Sequence, residues 1–449
     1  IKIIMLFFRL RELCKGEHVE CCLKQLISNE LFTKEQLNAW QYKHLKELLL
    51  YLSCNNPYYS RYIKEREIDL QKNFESVYDI LALFPVTDKK VIKDNYTDWL
   101  SNHLSYDNLQ LCSTSGSSGI PFKFYQSALA RDYKTASKYR LYHRFGIKIS
   151  DYQLCLGTNY DSKVSSFFQK MKINMNNKYI NHRYITDVSC LSFAMIREII
   201  DTINKLDIKS VWGYPSALFE IANYALSNNY PIINKRIKAV IYSGESHTPY
   251  MDLIVKKAFN TITIDEYNSV EGFIAGSCKV DNMHLNEDTA LYEVLLPDGS
   301  IRAYGKGELL ITSLFAKDFP FIRYKNGDIV EIAETKCECG SPFKLLSHLD
   351  GRSSCFIYNG SIKVPHAVCT HYLPHSDYRT KVDKFQIEQN EKDSVIVRIV
   401  LKDRNTDCAG LENLYRELFN NISVCFEYVD DIPRERSGKF KDVINNVKE

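Results

Sequence analysis

"SVWGYPSALFEIANYAL", residues 210 to 226, sets the fold class. Its first half, Ser210 to Pro215, is a short apolar run that reads as a buried strand ending in a turn. Ser216 is then expected to cap a helix that begins at Ala217. The pattern recurs downstream. "IKAVIYSGE" (237–245) reads as a second strand, Thr248 and Pro249 open a second helix with proline at its favoured first position, and "TITID" (261–265) reads as a third strand. Strand, helix, strand, helix, strand implies a mostly parallel sheet. Ligands of such sheets gather beyond the carboxyl ends of the strands. Three turns therefore become candidates: "GYPSAL", "YSGESHT" and "DEYNSVEG".

The flanks extend this picture. Thr33 to Leu52 reads as one helix, opened by a Thr33/Gln36 capping box, with Leu37, Leu45, Leu48, Leu49 and Leu52 at helical spacing. The last hundred residues change character: "DKFQIEQN", "SVIVRIVLK" and "VCFEYVDDI" read as strands and "LENLYRELFNN" as a helix. The expected architecture is α/β. Residues 1–350 would form a large N-terminal domain with mostly parallel sheets and flanking helices. Residues 351–449 would form a small, mobile α+β domain, with the boundary at "HLDGRSS".

Composition narrows the function classes. The 449 residues are 45% hydrophobic and 25% charged, an ordinary globular balance with room for more than one core. Lys and Arg number 58 against 55 Asp and Glu, too even for charge alone to argue a nucleic-acid or membrane partner. "IKIIMLFF" at the start, followed by Arg9 and Arg11, is too short for a membrane span and is expected to pack as an apolar turn. With 14 cysteines in so long a chain, a reducing cytoplasm is the default, and thiols are read as metal ligands or core residues.

Two stretches carry chemistry. "LCSTSGSSGIPFKFYQS" (111–127) has glycines that let backbone N–H groups turn inward, hydroxyl donors, and Lys123 for positive charge. Its glycine spacing fits no Walker loop, so alone it suits either a phosphate loop or a linker. The second is a spaced set, Cys278, His284, Cys337 and Cys339, read as C-x5-H and C-x-C-G. Thiolates with an imidazole are typical zinc ligands, and four protein ligands leave no open position, so the metal would be structural.

Taken in order, the motifs resemble those of the adenylate-forming superfamily of acyl ligases. "STSGSSGIPFK" resembles its phosphate loop and "YSGE" the Gly-Glu turn beside adenine. "DEYNSVEG" resembles the Tyr-x-x-x-Glu motif, "FIRYKNGDIVEI" the Tyr-x-x-Gly-Asp motif, "LDGRSS" the Gly-Arg hinge and "PRERSGKFK" the C-terminal Gly-Lys segment. "GYPSAL" and "MHLNED" are closest to the phenylacetate–coenzyme A ligase-like branch, which includes relatives encoded with capsular-polysaccharide genes. Some members of that branch resemble the Cys/His pattern as well.

The resemblance implies a reaction and roles. ATP and Mg²⁺ would activate a carboxylic acid as an acyl-adenylate with release of pyrophosphate. The acyl group would then pass to an acceptor, either coenzyme A thiol or an amine or hydroxyl of a surface-glycan precursor. Thr114, Ser115, Gly116, Ser117, Ser118, Gly119 and Lys123 would hold phosphates, and Glu271 would hold Mg²⁺. Gly244, Glu245, Tyr267 and Asn268 would border adenine and ribose, Asp328 would accept from the ribose hydroxyls, and Arg352 would lie near ribose or phosphate. Lys439 would be catalytic, its ammonium neutralising charge as the bond forms. Trp212, Tyr214, Tyr242 and His247 would line the acid pocket. Ser354 departs from the pattern, standing where many relatives carry an acidic hinge residue. The competing reading is a module that holds nucleotide without turnover.

Overall fold

The computed structural model describes residues 18–102, 109–113, 122–157, 177, 181–188, 191–269, 271–352, 356–370, 373, 376, 378, 381–435 and 438–447. The N-terminal apolar run, Thr114 to Gly119 and Ser354 lie outside them. The chain divides into two units: Ile1–Ser150 with Ile264–Leu349, and Asp151–Thr263 with Asp350–Glu449.

The first unit opens with α1 (Val19–Asn29) and α2 (Lys34–Asn55). The expected capping box is present: Thr33 Oγ1 accepts from the Gln36 N–H, and the Gln36 side chain accepts from the Thr33 N–H. Leu45, Leu48, Leu49 and Leu52 of α2 pack with Trp99, Phe122, Phe124, Phe319 and Phe321 in an aromatic-rich core. β1 (Gln110–Ser113) and β2 (Lys123–Gln126) pair antiparallel, Ser113 opposite Lys123, on either side of the Ser/Gly stretch. Apolar Phe122 and Phe124 anchor β2 in that core. α3 (Ala128–Arg144) follows, capped by Ser127.

The parallel sheet lies in the second unit. β3 (Tyr152–Gly157), β4 (Arg183–Asp187), β5 (Ile208–Gly213) and β6 (Ala239–Ser243) pair parallel in the order β4-β3-β5-β6. α4 (Phe193–Lys205), α5 (Pro215–Ser227) and α6 (Pro249–Phe259) contribute their apolar faces to one core with these strands. One expectation needs correction. Tyr214, not Ser216, is the N-cap of α5, because Pro215 takes the first helical position.

Back in the first unit, pairing is antiparallel. β7 (Ile262–Asn268), whose first residues belong to the second unit, runs against β8 (Phe273–Ser277), which runs against β9 (Met283–Leu285). β10 (Ala290–Leu295) pairs with β11 (Ile301–Arg302) and with β12 (Gly305–Ser313), and β12 with β13 (Tyr324–Ala333). β14 (Leu345–Arg352) pairs with β9. Parallel pairing in the large domain is thus concentrated in β3 to β6.

The C-terminal stretch is the expected small α+β fold. β15 (Phe356–Asn359) and β16 (Ile362–Pro365) form a hairpin. β17 (Val382–Glu391), β18 (Ser394–Leu401), β19 (Ser423–Tyr428) and β20 (Val443–Asn445) form a mixed sheet in the order β19-β18-β17-β20, with α7 (Ala409–Leu418) packed on it, its Tyr415 stacked on Phe385 of β17. Among the described residues, no helix is long and apolar enough to cross a membrane.

Candidate active site

The turn after β6 is the centre of the second unit's group. Gly244 has φ +79°, a left-handed conformation that glycine adopts without strain. It also has a crowded face. A Cβ there would stand 3.1 Å from Cε1 of Tyr214, 3.3 Å from Cε of Lys439 and 3.4 Å from its Nζ. The loop before β20 therefore lays Lys439 directly over the Gly-Glu turn, and the ring at the head of α5 closes one side.

Glu245 ties these pieces together. One carboxylate oxygen accepts the Ser216 N–H at 3.1 Å, a first-turn donor of α5 that has no acceptor within the helix, and the other accepts the Phe440 N–H at 2.6 Å. So the helix end that Ser216 was expected to cap is satisfied by a carboxylate 29 residues away. Burial pushes the Glu245 carboxyl above its usual range, while the bonds from Ser216 and Phe440 and the charge of Arg434 oppose that. The lysine turn is closed locally by two backbone bonds, Glu435 N–H to the Lys439 carbonyl (2.9 Å) and Gly438 N–H to the Glu435 carbonyl (2.8 Å).

The expected pocket residues divide by burial. Trp212 sits in β5, its ring 6.2 Å from that of Tyr214, and a Cβ on Gly157 would lie 3.2 Å from it. Tyr214 and Tyr242 are buried in the core beneath α4, α5 and α6. Tyr242 bonds Asp252 through its hydroxyl (3.4 Å) and packs on His247 with ring centroids 4.5 Å apart. Arg352 ends β14.

In the first unit, Tyr267 and Asp328, 61 residues apart, meet. The Tyr267 hydroxyl donates to Asp328, and Asn326 donates to both, at 2.9 Å to Tyr267 and 2.8 Å to Asp328. Asp328 is buried, and its carboxylate is oriented by these donors. Asn268, next to Tyr267, is exposed, as is Lys123 on β2. Glu271 lines a cavity of about 30 Å³, room for about one water, with Gln126, Ser127, Lys134 and Asp318. Lys134 donates to the Ser269 carbonyl at 2.6 Å, so α3 braces the turn that carries Glu271. Burial lowers the Lys134 ammonium from its usual value, and Glu271 opposes that.

The Cys/His set of the first unit converges. One ligand atom from each of Cys278, His284, Cys337 and Cys339 lies within 4.8 Å of the others. His284 Nδ1 is 2.9 Å from the Phe343 carbonyl, which fixes the proton there and turns Nε2 toward Cys339 Sγ at 3.3 Å. Burial keeps the His284 imidazole below its usual value, hence neutral and able to donate its lone pair. Burial pushes the Cys339 thiol up to about 12. Burial also raises Cys337, but hydrogen bonds from the Cys339 N–H, from Asn282 and from the neighbouring thiols outweigh it, and Cys337 lies below the usual thiol value. Behind the cluster, buried Arg140 of α3 bonds Asp288 and Asn286 of "MHLNED", and Glu287 accepts the Lys344 N–H at 2.6 Å. These charges pin the β9–β10 connection, a structural role for that motif.

Arg434, Glu220, Lys384 and Lys134 are absent from the sequence-derived list. Arg434 has the composition of a basic tail, and only its burial separates it from one.

The fold is that of the adenylate-forming ligases, as the ordered motifs imply. It is similar to 2-hydroxyisobutyryl-CoA ligase in the postadenylation state in complex with 2-HIB-AMP, with TM-score 0.73 and 17% identity over 93% of this chain and 91% of that one. It is also similar to the anthranilate CoA ligase AuaEII in complex with anthranoyl-AMP, with TM-score 0.51 and 14% identity over 76% and 67%. In sequence, the chain is 26% identical to protein CapK of Staphylococcus aureus over 419 residues, covering 91% of this chain and 89% of that protein. Residues 367–446 match the family model of the CapK C-terminal domain.

Proposed function

We propose that this protein is an enzyme that activates a carboxylic acid with ATP as an acyl-adenylate, releasing pyrophosphate, and then passes the acyl group to an acceptor. One observation carries the reading: the only lysine of "SGKF" lies over the Gly244–Glu245 turn beyond a parallel strand, where such folds place ligands. There its ammonium neutralises charge that grows between carboxylate and α-phosphate, a preorganised electrostatic contribution. Glu245 holds the backbone at Phe440, and so the lysine's approach.

The remaining roles follow the motifs. Thr114 to Gly119 and Lys123 are assigned to the phosphates, Asp328 with Tyr267 to ribose, and Gly244 and Glu245 to adenine. The carboxylate of Glu271, with oxygen-bearing neighbours in its cavity, fits a hard cation, and Mg²⁺ bound there supplies charge neutralisation for phosphate oxygens. The donor set Cys278, His284, Cys337 and Cys339 fits a closed, structural Zn²⁺. Residues 351–449 are assigned as the moving part, carrying Lys439. We place the reaction in the cytoplasm, where thiols stay reduced, and in cell-surface polysaccharide synthesis, on the likeness to CapK. Coenzyme A thiol is the alternative acceptor to a glycan amine or hydroxyl, on the likeness to CoA ligases.

The test is ATP–pyrophosphate exchange with a panel of carboxylic acids, preceded by mass spectrometry of the purified protein for a retained acid or adenylate. Exchange with any acid supports the reading. Tight ATP binding with no exchange across the panel would instead favour a nucleotide-holding module.

A further inference from the structure

We infer that Glu220 and Arg434 form a latch that positions Lys439 over the Gly244–Glu245 turn. The inference rests on the proposed role of Lys439, and it gives a part to Glu220 and Arg434, to which the resemblance assigned none.

Arg434 is the unusual member. Its side chain is only 3% exposed, although it sits in a loop between the small sheet's last strands. Its guanidinium holds both partners at once. Nη2 donates to Glu220 Oε1 at 2.7 Å, and Nη1 donates to Ser216 Oγ, both on α5. Nη1 also reaches the Gly438 carbonyl at 3.4 Å, inside the turn that presents Lys439. The planar fork of arginine suits this three-way task, and lysine has no equivalent geometry.

Glu220 collects a second cation. Lys384 of β17 places Nζ 3.5 Å from Glu220 Oε1 and 2.8 Å from Asp431. The carboxylate on α5 therefore draws in both the body of the small sheet and the loop before β20. Glu245 supplies a further bond beside it, through the Phe440 N–H. Beside the two backbone bonds that close the turn, these side-chain bonds fasten it to α5. A buried guanidinium without a carboxylate is strongly disfavoured. When Glu220 loses its charge, Arg434 moves toward water, and Lys439, five residues on in the same closed turn, leaves Gly244 with it. Glu220 and Arg434 are positioning residues, since neither reaches the reacting atoms.

The experiment uses the full chain with ATP as the only ligand. Amide hydrogen exchange is followed in a peptide spanning 432–441 and in peptides from β17 and β18. Glu220→Gln should raise exchange in 432–441 about tenfold or more and leave the strand peptides at parent rates. Glu220→Asp, which keeps the charge on α5, should retain more of the protection than Glu220→Gln, which a loss of packing alone would not do. Unchanged exchange in Glu220→Gln, loss that spreads to β17 and β18, or Glu220→Asp no better protected than Glu220→Gln would each overturn the latch. Pyrophosphate exchange on the parent protein runs in parallel. Its failure would sink the activity reading and leave the exchange result standing.

Discussion

In the first unit, four ligand-type side chains converge within 4.8 Å, and their surroundings are fixed by paired strands, a backbone carbonyl on His284 and a buried ionic network on Arg140. In the second, Lys439 reaches Gly244 on a turn that side chains hold: Glu245, Arg434 and Glu220. One region is closed on itself, and the other is docked. A closed cluster suits a permanent structural ion. A docked turn can release its lysine without unfolding anything, because breaking a few side-chain bonds leaves every sheet intact. The proposed two-step reaction would require such a difference of its parts.

The largest effect should come from opening the closed cluster. If it holds zinc, Cys337→Ser should cost about 4 kcal/mol or more, the class of loss tied to a vanished metal site. Denaturant unfolding with parallel metal analysis measures it, and unchanged stability or no stoichiometric zinc would remove the metal from this account. At the docked turn, Lys439→Ala should slow pyrophosphate exchange by about 10²–10³-fold, the scale of one lost preorganised donor, with ATP affinity nearly unchanged and stability untouched. Equal exchange in variant and parent would end that assignment. Gly244→Ala tests the same contact from below. The left-handed φ costs a non-glycine residue about 1–2 kcal/mol, and the new methyl must push Tyr214 or Lys439 aside. Calorimetry should find the loss, and exchange should fall with it.

The smallest effect is a pH dependence at His366, the residue after β16. His366 Nε2 lies 2.7 Å from Asp442. Burial lowers its value, but the charge and hydrogen bond of Asp442, with help from Asp350, outweigh this and raise it above the ordinary histidine range. A raised folded value means that the stabilisation is complete below the unfolded histidine value and is lost as pH rises through the folded one. Asp442 is 40% exposed, so the contribution is under about 1 kcal/mol. Unfolding midpoints from slightly acid to alkaline pH should show this slope, and Asp442→Asn should flatten it. An identical slope in the variant would show that another group is responsible.

Much of the fold was legible because it depends on local rules. Alternating apolar runs and helix starts gave β5, α5, β6 and α6, and the Thr33 box gave α2. The cap of α5 was misassigned because Ser216 is a good cap by type, while Pro215 fixes the backbone one residue earlier and a distant carboxylate does the bonding. Among the site residues, the Cys/His set was readable from ligand chemistry and spacing. Lys439 was singled out only through the order of motifs, since "RERSGKFK" alone is an ordinary basic tail. Arg434 could not be separated from that tail, and Glu220 could not be distinguished from any exposed helix glutamate.

The sequence by itself determined the alternation of elements, the turns that follow the parallel strands, the thiol and imidazole ligand set, and the likeness to acid-activating ligases. Periodicity, glycine and proline signals, and ligand type are properties of neighbouring residues. Only the tertiary structure decided that Glu245 caps α5 while holding Phe440, that Tyr267 turns its hydroxyl to Asp328, and that Arg434 is buried between Glu220 and the lysine turn. Those pairings join residues separated by up to 214 positions. Burial gives them their weight: a charge out of water must find its partner wherever the chain has brought one.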